Sequence, residues 1–145
     1  MSSDLSLGLG LDFKGRVAIV TGAGGGLGRQ HALALAARGA KVVVNDLGGA
    51  LDGTKNGAAG TGSVTAAQTV VEEIRAAGGE AMANGASVTD FAAVQAMVAE
   101  TMAKWGRVDI LVNNAGILRD KSFAKMELAD FALVVDVHLM GAVNC

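Results

Sequence analysis

Tyrosine and proline are both absent from this 145-residue sequence, and cysteine occurs once, at the last position, Cys145. A single thiol allows no internal disulfide and no thiolate cage for a metal, which fits a reducing compartment. Without tyrosine, no phenol can serve as an acid or base anywhere in the chain. A surplus of charge is also missing. Lys and Arg number 12 against 14 Asp and Glu, a net −2, so no basic excess marks a nucleic-acid or anionic-membrane partner. No run approaches the ~18 apolar residues of a membrane span. The stretch from Met1 to Phe13 carries Asp4 and Asp12 with no cation, so it reads as a loose lead-in and not a signal peptide. The ending Val143-Asn144-Cys145 matches no address signal.

What is present is apolar and glycine-rich. Hydrophobic residues make up 51% against 18% charged, which excludes a disordered chain. The length predicts one domain, able to bury roughly 68–70% of its unfolded surface. Glycine, at 21 residues, is about twice its usual ~7% share.

The pattern alternates short β-branched runs with longer helical stretches. Val17 to Val20 reads as a first strand, ending at Thr21-Gly22. Leu27 to Arg38 reads as a helix stopped by Gly39, with Leu27, His31, Ala34, Leu35 and Arg38 on one side. Val42 to Val44 is a strand without polar alternation, as expected when both faces are covered. Leu47 to Gly62 is a loop with six glycines, long for such a connection. Ser63 can cap a second helix, striped by Val64, Ala67, Val70, Val71 and Ile74 and closed by Gly78-Gly79. Glu80 to Asn84 is a weak third strand. Thr89 or Asp90 caps a third helix, striped by Phe91, Val94, Met97, Val98, Thr101 and Met102. Val108 to Val112 is a fourth strand. Leu128 to Val143 is a last helix with Phe131, Val134, Val135, His138, Leu139 and Ala142 on one face. This alternation predicts an α/β fold: a Rossmann-like, doubly wound parallel sheet ending after about four strands, in a single domain over 1–145.

Gly22-Ala23-Gly24-Gly25-Gly26-Leu27-Gly28 falls between the first strand and the first helix. An open α/β sheet binds phosphate there, on a helix N-terminus that a tight glycine turn brings close. No Gly-x-x-x-x-Gly-Lys-Ser/Thr can be traced, which excludes a phosphate-loop NTPase. The spacing is instead Thr-Gly-x-x-x-Gly-x-Gly, on Thr21, Gly22, Gly26 and Gly28. Asp46 closes the second strand, 24 positions after Gly22, where a carboxylate can bond adenosine ribose hydroxyls. A carboxylate there repels a 2′-phosphate, and no Arg or Lys stands in 22–28 or just after Asp46 to offset it, so NAD is expected over NADP. The alternatives are a plain glycine turn and a turn aspartate.

The glycine motif, together with Asn113-Asn114-Ala115-Gly116 after the fourth strand, resembles the short-chain dehydrogenase/reductase family from Phe13 to Val143. Val44 to Gly49, the glycine-rich insertion, Val70 to Ile74 and Asn113 to Phe123 are similar to one branch of it. That branch holds the (3R)-3-hydroxyacyl-CoA dehydrogenase modules of peroxisomal multifunctional enzymes type 2 and their bacterial relatives. The resemblance implies an NAD-linked oxidation of a secondary alcohol on an acyl-CoA. It implies that Gly22, Gly26, Leu27 and Gly28 wrap the pyrophosphate, that Asp46 holds the ribose, and that Ser87 and Val88 flank the adenine. Asn114, Ala115 and Gly116 would line the nicotinamide side, with Asn113 bracing the sheet. Ala86 and Ser87 stand where relatives usually carry an acidic residue, so an adenine contact there falls to the backbone. His138 stands where most of the family has an asparagine that helps hold a relay water, and the rival reading is a core histidine.

The catalytic Ser and Tyr-x-x-x-Lys that the resemblance implies are not in this chain. His31 reads as structural, Cys145 has no partner for nucleophilic catalysis, and the carboxylates lack metal-ligand spacing. The expectation is therefore the cofactor-binding half of an NAD-dependent dehydrogenase, without turnover by itself and prone to pair its open fourth strand. Its partners would be an alcohol or acyl-CoA substrate and further copies of itself, in the cytoplasm, or in the peroxisome for a eukaryotic source. The rivals are a non-catalytic NAD-binding module, and a relative of the same family acting on a steroid, a 3-oxoacyl carrier thioester or another alcohol.

Overall fold

The computed structural model describes residues 11–48 and 62–145, with the backbone alone for 62–65. The elements run β1 (Val17–Thr21), α1 (Gly26–Ala37), β2 (Lys41–Asn45), α2 (Gly62–Ala76), β3 (Glu80–Asn84), α3 (Phe91–Trp105) and β4 (Ile110–Val112). A single 3₁₀ turn at Phe123–Lys125 precedes α4 (Leu128–Val135). The four strands form one parallel sheet in the order β3-β2-β1-β4.

Alternating side chains on the strands build two cores. Ala18, Val20, Val42, Val44 and Ala81 pack with Ala32 and Ala36 of α1 and with Ala67, Val70, Val71 and Ile74 of α2. Ile19, Val43 and Met82 point the other way, onto Val94 and Met97 of α3. This is why β2 carries three consecutive valines: both faces are covered, and each fully buried Val or Ile gains about 1.5–3 kcal/mol over exposure. The doubly wound α/β architecture expected from the alternation is present.

Several local expectations are corrected. In α1 the buried residues are Gly28, Ala32 and Ala36; Leu27 is 73% exposed, and His31, Ala34 and Arg38 are also exposed. Small residues let this helix lie close on β1 and β2, and only Leu35 of the predicted stripe packs against the core, partly buried. The α2 helix begins at Gly62, so Ser63 lies within it and does not precede it. In α3 the cap is Asp90, whose carboxylate accepts from the Ala93 amide at 3.0 Å. Val94, Met97 and Thr101 are buried there, whereas Phe91 and Met102 stay largely exposed. Strand β4 starts at Ile110, because Asp109 turns its carboxylate back to accept from the Val17 amide at 2.8 Å.

The last helix is not uniform. After α4 it widens into a π turn over Asp136–Met140, closed by the Gly141 amide donating to the Asp136 carbonyl, and resumes as α5 (Gly141–Asn144). Of its predicted face, Phe131, His138 and Leu139 are exposed and Val134, Val135 and Ala142 half-buried. Residues 49–61 of the glycine-rich loop lie outside the described residues. No helix among the described residues is long and apolar enough to cross a membrane.

Candidate functional site

The carboxyl ends of β1, β2, β3 and β4 bring together the residues that the sequence singles out. The chain leaves β1 at Thr21 and turns through Gly22 and Gly26, at φ of +64° and +52°, where any side chain would be strained. The glycines divide by surroundings. A Cβ on Gly22 would lie 2.9 Å from the Ala115 Cα, and one on Gly28 would run into the Gly22 carbonyl and the Asn114 carboxamide. Gly25 and Gly26 face open space. The α1 N-terminus that they open has neither a capping side chain nor an acidic residue in its first turn. Its free N–H groups and positive dipole end are therefore available to an anion.

The turn is locked to the loop after β4 by Thr21 and Asn114. The buried Thr21 Oγ1 accepts from the Asn114 and Ala115 amides at 3.1 and 3.0 Å and donates to the Val112 carbonyl at 3.3 Å. The Asn114 Nδ2 donates to the Thr21 and Gly22 carbonyls at 3.0 and 3.1 Å. Asn114 thus supplies the brace expected of Asn113, because the tight turn presents its carbonyls to the second asparagine. Asn113 is exposed and lines a cleft with Thr21, Ala115 and His138.

Asp46 stands beside the glycine turn. Its Oδ2 accepts from the Gly24 amide at 2.8 Å and its Oδ1 from the Gly48 amide at 2.7 Å. Below it, the buried Asn45 Nδ2 donates to the Asn84 Oδ1 and the Ala86 carbonyl, both at 2.9 Å. The Asn84 Oδ1 also accepts from the Ala86 amide at 2.9 Å. The sequence reading missed this pair. Its signal was a polar residue closing each of two apolar strands.

Over 86–88 the backbone carbonyls are already employed. The Ala86 carbonyl accepts from Asn45, the Ser87 carbonyl from the Asp90 amide at 3.0 Å, and the Val88 carbonyl from the Asn144 Nδ2 at 2.8 Å. Ser87 is half-buried and Val88 buried, both in the segment between β3 and α3. The α5 helix reaches Val88 so closely that a Cβ on Gly141 would lie 2.6 Å from Val88 Cγ2.

His138 is exposed, which overturns the core-histidine reading. The π turn lays its ring over Gly116, where a Cβ would come within 2.7 Å of the imidazole. Its Nε2 lies 3.1 Å from the Ile117 amide nitrogen and 2.9 Å from the Ile117 carbonyl oxygen. One nitrogen serves only one of these at a time, as acceptor or as donor according to the ring tautomer. Farther along, Asp130 of α4 holds Arg119 at 2.7 Å and Lys121 at 3.4 Å, fixing the loop that follows Ile117. Among the described residues no group of three or more His, Cys, Asp or Glu could hold a metal.

The short chain dehydrogenase family pattern matches residues 16–145. The peroxisomal multifunctional enzyme type 2 of Drosophila melanogaster is 59% identical over 136 residues, covering 93% of this chain and 21% of that protein. A solved short chain dehydrogenase from Mycobacterium avium superposes with a TM-score of 0.79 at 52% identity, covering 91% of this chain and 44% of that one. A 7α-hydroxysteroid dehydrogenase, solved with NADH and 7-oxo glycochenodeoxycholic acid, gives 0.77 at 34% identity, covering 92% and 46%. The chain thus spans less than half the length of these relatives. With the family pattern extending over about nine-tenths of its residues, on the fold and motifs described above, the chain belongs to the short-chain dehydrogenase family.

Proposed function

We propose that this chain is the NAD-binding half of a dehydrogenase that oxidises a secondary alcohol, a 3-hydroxyacyl-CoA by its sequence likeness. The carrying observation is the glycine turn itself: an uncapped helix N-terminus faced by the open Gly25 and Gly26, beside a carboxylate held by two backbone amides. That donor set fits a dinucleotide. The Gly26, Leu27 and Gly28 amides would meet the pyrophosphate, and Gly22 would set the turn that lets it approach. Asp46 would accept the ribose hydroxyls with its remaining lone pairs. Ser87 and Val88 would flank the adenine, and Asn114, Ala115 and Gly116 the nicotinamide side, held in place by Thr21 and His138. When bound, the nicotinamide supplies a hydride acceptor for the alcohol carbon. The proton-transfer tyrosine that such chemistry uses in this family is not among these 145 residues.

The NADH bound to the solved 7α-hydroxysteroid dehydrogenase supports a nicotinamide dinucleotide as the ligand. Preference for NAD rests on the Asp46 carboxylate. Calorimetric titration of the full-length protein should give tighter binding of NAD⁺ than of NADP⁺. Asp46→Ala should weaken NAD⁺ about tenfold or more, since hydrogen bonds to a charged group contribute about 1.5–3 kcal/mol. Tighter NADP⁺ binding would overturn the role given to Asp46. Assay of the full-length protein on 3-hydroxyacyl-CoA against steroid alcohols tests the substrate, with faster acyl-CoA oxidation expected.

A further inference from the structure

We propose that Gly24, a position that the Thr-Gly-x-x-x-Gly-x-Gly spacing leaves variable, sets the choice between NAD and NADP by holding Asp46 in place. The proposal rests on the ribose-binding role of Asp46 and adds a second residue to it. Gly24 has two contacts with that side chain. Its amide donates to the Asp46 Oδ2 at 2.8 Å. Its missing side chain leaves the room that the carboxylate occupies: a Cβ there would lie 2.8 Å from both Asp46 Cγ and Oδ2.

Backbone strain does not explain this glycine. Its φ is not among the positive values found at Gly15, Gly22, Gly26, Gly39, Gly48, Gly78 and Gly106, so an L-residue could adopt the same conformation. What a side chain lacks at Gly24 is space. The same Cβ would come within 3.0 Å of the Ala66 Cβ on α2, so it could not lean away from Asp46 without meeting that helix. The displaced group would therefore be the carboxylate, the free end of a side chain. It is otherwise fixed at its second oxygen by the Gly48 amide.

The position of the carboxylate decides what it recognises. Held by one amide on each oxygen, it is oriented with lone pairs left for a vicinal diol. Against a 2′-phosphate the same charge is repulsive. Pushing it aside weakens diol recognition while its charge stays nearby. NAD⁺ affinity should then fall and NADP⁺ affinity change little.

The test is titration of the full-length protein and its Gly24→Ala, Asp46→Ala and double variants with NAD⁺ and NADP⁺, alongside thermal unfolding. Gly24→Ala should lower the NAD⁺ preference about tenfold, mostly through NAD⁺. The double variant should show the preference of Asp46→Ala alone. If Asp46→Ala lowers the preference and Gly24→Ala does not, the proposal is overturned and the ribose role of Asp46 stands. If Asp46→Ala leaves the preference unchanged, that role fails and the proposal with it. Should Gly24→Ala fail to fold, a folded double variant supports a collision with the carboxylate, whereas an unfolded one places the crowding against Ala66 and overturns the proposal.

Discussion

At the residue scale, Thr21 shows how much one hydroxyl can organise. It is 1% exposed, and its oxygen meets three backbone groups, one at the end of β4 and two in the segment after it. Thr21→Val keeps the shape and removes the oxygen, leaving the Asn114 and Ala115 amides without their partner. A buried donor left unpaired costs about 1–3 kcal/mol, so urea unfolding should register a loss of that order. NAD⁺ affinity should fall with it, because Asn114 would no longer hold the Gly22 carbonyl in register. Unchanged affinity and stability would show that solvent replaces the hydroxyl. The threonine was visible in the motif, but its partners were not, because they lie more than 90 residues away. His138 was visible too, yet its exposure and its grip on Ile117 depend on a π turn that no side-chain periodicity announced.

At the scale of elements, Asp109 joins the start of β1 to the start of β4. It accepts from the Val17 amide and pairs with Arg107 at 2.5 Å and Arg16 at 3.5 Å. The Arg107 hydrogen bonds first, then the Val17 amide and the two guanidinium charges, hold its carboxyl down to about 2, from an ordinary 3.8. A carboxyl depressed in the folded state stabilises above its unfolded pKa and stops doing so as pH falls through the folded value. The protein should therefore lose the Asp109 contribution between about pH 4 and pH 2. Comparing urea midpoints with those of Asp109→Asn should show a gap at pH 6 that narrows across this window, while a pH-independent gap would remove Asp109's charge from the explanation. On the opposite edge, Glu80 of β3 accepts from Trp105 Nε1 at 2.6 Å, which lowers its pKa, and pairs with Lys41 of β2 at 3.3 Å. Such partly exposed pairs contribute little individually. The Trp105 bond ties the end of α3 to β3, and the Lys41 pair ties β2 to β3. Arg29 of α1 and Glu73 of α2 form a two-pronged pair on the other face.

At the scale of the molecule, the sheet is well covered on both faces but uneven at its edges. Among the described residues β4 pairs with β1 alone, and Leu111 at its centre is 40% exposed. Phe123, Leu128, Phe131, Leu139 and Val143, from the 3₁₀ turn and the last helical segment, are also largely exposed. An unpaired strand edge and apolar surface of this extent favour association. A polypeptide of these 145 residues alone should sediment as dimers or larger species at micromolar concentration. A single monomeric boundary with a cooperative melt would show that these surfaces tolerate water.

The amino-acid pattern was enough for the parallel α/β architecture, since consecutive β-branched residues and intervening apolar stripes are local signals of strands covered on both faces. It also determined the glycine turn and the carboxylate at the end of β2, because each needs a residue type at one spacing. It misjudged the buried side of α1, where alanines and a glycine face the strands and Leu27 faces water. That contact emerges only on packing, because close approach of helix and strand selects small side chains and hydropathy does not encode the distance. Packing alone also decided which asparagine braces the turn, that Asn45 and Asn84 pair beneath Ala86, and that Gly24 makes room for Asp46. Those contacts join segments far apart in sequence, and their geometry exists only once the strands lie side by side.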